Sequence, residues 1–254
     1  MCATITYIIK KDMLKKTILL SVLVISFFTS CNSISGDKEY DTRAISSLDS
    51  LSSVIGELSS CSFSLDTEFT NRNESNPSKN QHDVYMRGSN KMYIHSNGNR
   101  GEKGYWYDGE KLAFLNFNKS TFDTISAPNN IISTIDMVHR NYGIDFPAAD
   151  FFYPTLTDDI MENYNKVFYI GDVIINNVEC VAISASNKKE NLFIWIEKKS
   201  YLPYKIVIEQ IGGSAKIYEA TFSNWRANPN LPDLLFKFTP RSTSTRVKLI
   251  SKNN

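Results

Sequence analysis

Between Ser59 and Ser62 the spacing of apolar residues switches from threes and fours to twos, and that switch narrows the fold more than any motif. Before it, Thr42–Ser59 carries Ala44, Ile45, Leu48, Leu51, Val54, Ile55 and Leu58, one sticky stripe on a helix. The opposite face is mostly serine, so this helix needs a partner surface. After it, Phe63, Leu65, Thr67 and Phe69 alternate with Ser64, Asp66 and Glu68, as in a half-exposed strand.

Strand-like runs then recur. Asp83–Arg87 and Lys91–His95 flank Gly88-Ser89-Asn90 as a hairpin, and Tyr105–Asp108 with Leu112–Asn116 forms a second, aromatic one. Pro128–Tyr142 breaks the pattern: Ile131, Ile132, Ile135, Met137 and Val138 predict a helix that Gly143 ends. A shorter helix is expected over Thr157–Asn163. Strands resume at Lys166–Ile170, Asp172–Ile175, Val178–Ser184, Leu192–Glu197, Tyr204–Gln210 and Ala215–Asn224, separated by Asn176-Asn177 and Gly212-Gly213. Antiparallel strands with helical interruptions predict an α+β domain on one curved sheet.

The segment Met13–Cys31 sets the compartment. Lys15 and Lys16 precede an apolar run, Ile18–Phe28, too short to cross a bilayer as a helix. Small residues and a cysteine follow, the layout of a secretory signal, with Met13 the better start. Phe28-Thr29-Ser30-Cys31 resembles a bacterial lipobox, in which the cysteine is acylated and becomes the mature N-terminus; an ordinary signal peptide is the alternative. Residues 1–30 are thus read as a signal peptide, 31–40 as a lipidated tether and 41–254 as one domain. Asn32 after Cys31 is not the Asp of an inner-membrane retention signal; the expected place is the cell envelope, lipid-anchored on the periplasmic side of a membrane or at the cell surface, with the outer membrane the first choice. From residue 31 on, 24 basic residues face 26 acidic ones without a basic cluster, which argues against nucleic acid as a partner.

In an oxidising compartment Cys61 and Cys180 could pair as a disulfide, or remain two partly buried thiols; sequence alone does not choose. His82, His95 and His139 lack metal-ligand spacing, and no nucleophile elbow, P-loop or dinucleotide fingerprint occurs. Asp158, Asp159 and Glu162 read as acidic residues at the start of a short helix. The expectation is a protein that is not an enzyme and that uses neither metal nor cofactor.

A set of short motifs in order carries a resemblance: Tyr107-Asp108-Gly109 with Lys111, the run HRNYGIDFP at 139–147, Ala149–Tyr153, Tyr169-Ile170-Gly171 and Asn177–Cys180. Trp195-Ile196-Glu197, Leu202-Pro203, Ser223-Asn224-Trp225 and FKFTP at 236–240 complete it. The chain resembles a family of predicted periplasmic proteins of uncharacterised function, one that looks related to the LolA/LolB lipoprotein-carrier fold. The resemblance implies a strongly curved antiparallel half-barrel with helices on its concave face over an apolar pocket. On that footing Trp106, Phe114, Phe193 and Trp195 are expected to line a cavity for a lipid, lipopeptide or acyl chain. Phe193 and Trp195 must share one face of their strand, with Leu192, Ile194 and Ile196 on the other. The competing expectation is a structural or interaction lipoprotein whose helices fill the concavity.

Overall fold

In a computed structural model the described residues are 38–71, 76–146, 148–212 and 216–252. Cys31 and the signal segment lie outside them. Among these residues, thirteen strands form one open sheet, with three α-helices against its concave face.

The first helix, α1 (Thr42–Gly56), follows a two-residue strand, β1 (Glu39–Tyr40). Asp41 caps α1, its carboxylate accepting from the Arg43 N–H at 2.8 Å. The expected stripe is its buried face: Ala44, Leu48, Leu51 and Ile55 are inaccessible or nearly so. Six strands follow: β2 (Ser60–Asn71), β3 (Ser78–Arg87), β4 (Lys91–Gly98), β5 (Lys103–Tyr107), β6 (Lys111–Asn116) and β7 (Thr121–Ser126). The chain then leaves the sheet for α2 (Ile131–Tyr142), a 3-10 turn (Ala149–Phe152) and α3 (Leu156–Asn163). Asn130 caps α2 by accepting from Ser133 N–H, and Gly143 ends it in the left-handed conformation at φ 66°. The last strands are β8 (Lys166–Ile175), β9 (Val178–Ser186), β10 (Glu190–Glu197), β11 (Pro203–Gln210), β12 (Lys216–Ala227) and β13 (Thr245–Arg246).

Sheet order is β1-β8-β9-β10-β11-β12-β2-β3-β4-β5-β6-β7-β13. Every pairing is antiparallel except the two short edge ones, β1 on β8 and β13 on β7. The junction of the two halves is β12 on β2, which places Phe222 opposite Leu65 and Ala220 opposite Thr67. Residues of α1, both halves of the sheet and the 127–165 insertion belong to one apolar core.

Several boundaries differ from expectation for local reasons. Lys166–Ile175 is one strand rather than two, because a bulge at Ile170-Gly171 absorbs the break in register. Thr121–Ser126 is a strand although Asp123 interrupts its apolar pattern. Asp123 is buried, and Arg246 Nε at 3.0 Å and Leu249 N–H at 2.8 Å both donate to it. Burial alone would raise that carboxyl, but the bonds from Leu249, Arg246 and Thr124 outweigh it and hold it below the ordinary carboxylate range. The outer face near β5 is covered by the C-terminal chain, where Phe238 packs on Trp106 and Phe122 at ring distances of 5.1 and 5.4 Å.

Candidate functional site

Among the described residues, two small apolar spaces lie on the concave face, with the 3-10 turn Ala149–Phe152 between them. The larger is a cleft of about 40 Å³ floored by Leu192, Ile194 and Ile206 of β10 and β11. Phe151 of the turn and Leu156 and Ile160 of α3 roof it. Leu156 and Ile160 are one helical turn apart, so both project onto the sheet. Asp150, Asp159, Asn163 and Tyr164 complete its lining. Tyr164 is buried, its hydroxyl donating to Glu190 at 2.8 Å. Thr155 donates to Asp159 at 2.8 Å.

The second space, about 20 Å³, lies between Phe63, Leu65, Val84 and Ile94 of the sheet and Ile135 and Phe146 of the insertion. Its polar lining is His82, whose two ring nitrogens meet Thr67 Oγ1 at 3.0 Å and Ser96 Oγ at 2.7 Å. Burial pulls this imidazole down to about 4, with the charge of Asp83 opposing. It is a satisfied, neutral core histidine. His95 and His139 are engaged by carboxylates, Glu102 at 2.8 Å and Asp145 at 2.5 Å.

A third, open groove of about 560 Å³ is polar. There Glu68 and Glu219 stand directly opposite each other across β2 and β12. Lys79 and Lys205 pair with them at 2.9 and 2.7 Å, which relieves the like-charge contact.

None of the four aromatic residues expected in a cavity lines either of these two spaces. Leu192, Ile194 and Ile196 are the core-facing set of β10, so Phe193 and Trp195 stack on each other, at 6.2 Å, on the outer face. Lys205 places its ammonium 5.7 Å from the Trp195 ring. Trp106 is also on the outer side, stacked on Tyr93 at 4.9 Å and covered by Phe238. Phe114 does face inward, 5.4 Å from Tyr105, but packs against the core rather than lining either space. The lining residues that sequence reasoning missed had one usable signal, the Leu156/Ile160 spacing on α3.

Cys61 and Cys180 are free thiols, both buried. Cys61 faces the core from β2, whereas Cys180 of β9 alternates with the core residues Val181 and Ile183 and faces outward. Three strands separate β2 from β9, roughly 19 Å at the usual strand spacing, far beyond disulfide reach. Burial pushes the thiols up to about 12 and about 11, so neither is a thiolate nucleophile at neutral pH.

A family model described as "Predicted periplasmic protein (DUF2092)" matches residues 44–250. No curated protein sequence matches the chain. Solved structures with a similar course include the Mycobacterium tuberculosis lipoprotein LppX, at 12% identity and TM-score 0.46, covering 76% of this chain and 100% of that one. LprF from Mycobacterium bovis gives 12% and 0.44, covering 78% and 98%. A LolA superfamily protein from Nitrosomonas europaea gives 11% and 0.36, covering 77% and 97%. Likeness at this level carries no argument about ligand or activity.

Proposed function

Since the chain belongs to the DUF2092 family of predicted periplasmic proteins, we propose that it is a lipid-anchored envelope protein that takes up an apolar chain. The chain enters between the insertion and β10–β11. The observation that carries this reading is the cleft itself, a floor of Leu192, Ile194 and Ile206 under a roof supplied by one short turn and one short helix. At about 40 Å³ it has room for no more than a few water molecules, so an acyl chain enters only as the roof lifts. Gly143 and Ala148 both adopt left-handed backbone, at φ 66° and 57°, on the approach to the turn. For alanine this conformation costs about 1–2 kcal/mol, which movement of the segment would release. Each methylene buried adds about 0.8 kcal/mol, so ten or so would give useful affinity without a polar contact.

The test is the fluorescence of the uncharged probe N-phenyl-1-naphthylamine with the full chain in detergent-free buffer. Saturable enhancement is expected, weakened at least about tenfold by Ile194→Asp, which puts an unpaired carboxylate on the floor. A flat titration would favour the other reading, a self-filled interaction protein, for which the small size of both spaces speaks.

The anchor has its own test. Met13–Cys31 supports acylation of Cys31, so Cys31→Ser should move the protein from the membrane pellet to the soluble fraction. A processed Cys31→Ser protein that still sediments with membranes would refute the anchor.

A further inference from the structure

The two ends of the sheet differ, and the chain enters the domain at one of them. Strand β1 runs parallel to β8, and the Glu39 N–H donates to the Asn165 carbonyl at 2.8 Å. The described chain therefore begins at the end of the sheet where β8 starts. Two turns share that end. Asn187–Lys189 joins β9 to β10 beside the start of β8, where the Asn165 N–H donates to the Ser186 carbonyl at 3.0 Å. The β11–β12 turn is tied to it, because the Ile211 N–H donates to the Lys189 carbonyl at 2.7 Å. Lys188 and Lys189 are exposed, Lys216 is half-buried, and Ile211 and Ile217 are 53% and 39% exposed. The acidic residues of this end are engaged or set apart from the turns. Glu190 accepts from the Tyr164 hydroxyl, and Glu39 meets Lys166 at 3.8 Å. Glu209 lies back along β11 from Ile211, and Glu162 lies on α3. At the opposite end the turns bear Glu57, Asp108 and Glu110, and Lys198 is bound to Asp172 at 2.5 Å.

We propose that the end carrying these two turns docks on an anionic bilayer. Lys188, Lys189 and Lys216 meet the headgroups, and Ile211 and Ile217 enter the interface. The inference rests on the reading that Cys31 is acylated. Seven residue steps join Cys31 to Lys38, a span of at most about 25 Å. An anchor at Cys31 thus holds this end near the membrane, while the far turn of β10 lies roughly 25 Å beyond it. Two exposed isoleucines alone would suit a protein partner as well. The lysines beside them and the short span to Cys31 favour a negatively charged lipid surface. That attraction falls off within a Debye length, about 8 Å at physiological salt, so it acts on groups held at the turns. Docking this end also serves the cleft. Leu192 of its floor is three residues from Lys189, about 10 Å along the strand, so the floor starts close to the headgroups.

The experiment places the fluorophore bimane on Ile211→Cys or, at the opposite end, on Lys199→Cys of the acylated full chain. Cys61 and Cys180 are buried and stay unlabelled. Each protein is reconstituted on phosphatidylcholine vesicles with or without phosphatidylglycerol, a headgroup-nitroxide lipid serving as quencher, and bound protein is collected by flotation. With phosphatidylglycerol, quenching at 211 should exceed that at 199 at least about fivefold, the gap narrowing in high salt or without the anionic lipid. Lys188→Glu, Lys189→Glu and Lys216→Glu together should bring the two positions within about twofold while the protein still floats. Equal quenching at both positions in floated protein would overturn the docking alone. So would a gap indifferent to phosphatidylglycerol or to the three charge reversals. Flotation on neutral vesicles reports the anchor by itself, and its absence would overturn the anchor reading and the docking with it.

Discussion

Phe222→Ala is expected to cost about 3–5 kcal/mol of folding stability, the usual range for removing a buried ring. A domain of this size has about 5–15 kcal/mol in total, so the variant should sit near the edge of folding. Phe222 is 2% exposed on the concave side of β12, where the two halves of the sheet join. Its ring meets Phe151 edge-on at 5.5 Å, Phe63 at 5.5 Å and Trp225 in a stack at 5.7 Å. One side chain therefore ties β2, β12 and the 3-10 turn together. Its loss leaves a void that backbone strands cannot collapse to fill, and it removes the contact that seats Phe151 over the cleft. Urea denaturation followed by tryptophan fluorescence would measure this, with Trp225 as a neighbouring reporter. Limited proteolysis should show cutting within 143–155 before the sheet is lost. A stability loss below about 1 kcal/mol would mean that the turn is held by something other than this ring.

The same residues explain what could be read in the chain beforehand. Helix α1 was legible because Ala44, Leu48, Leu51 and Ile55 form a single face against serines, and that contrast survives folding unchanged. The strands were legible wherever one face is wet. On β10 both faces are apolar, so alternation separates Phe193 and Trp195 from Leu192 and Ile194 but says nothing of which pair faces inward. That choice is made by the insertion, some 30–40 residues upstream, which packs onto the smaller residues. Strand β7 was hidden because its inward position is an aspartate, and the partners that make Asp123 tolerable, Arg246 and Leu249, lie more than 120 residues on. The cysteines show the same limit: two thiols in a chain with an export-like leader look like a pair until strand alternation and sheet order set them on opposite faces, strands apart.

Acidification should destabilise the domain through His82, in a window whose sign follows from burial. The unfolded chain binds a proton on this ring near the ordinary value of 6.5, the folded chain only near about 4. Between those values the unfolded state holds more protons, so stability falls as pH falls: the contribution is complete above about pH 6.5 and is lost toward pH 4. At about pH 4.5 the loss from this one group is about 2.5 kcal/mol. Hydrogen bonding does not produce the penalty, because the hydroxyls of Thr67 and Ser96 can accept from a charged ring as readily as they serve a neutral one. The cost is that of placing a cation among Leu65, Val84, Ile94 and Phe146. His82→Gln keeps a polar side chain between the same hydroxyls without the titration. Urea midpoints for both proteins at about pH 7.5 and about pH 4.5 isolate the term, since carboxylates elsewhere titrate equally in each. The natural chain should lose about 2.5 kcal/mol more than His82→Gln over that interval. Parallel losses would place the ring in contact with water, and the space beside it would then be wet and a poor seat for an apolar chain.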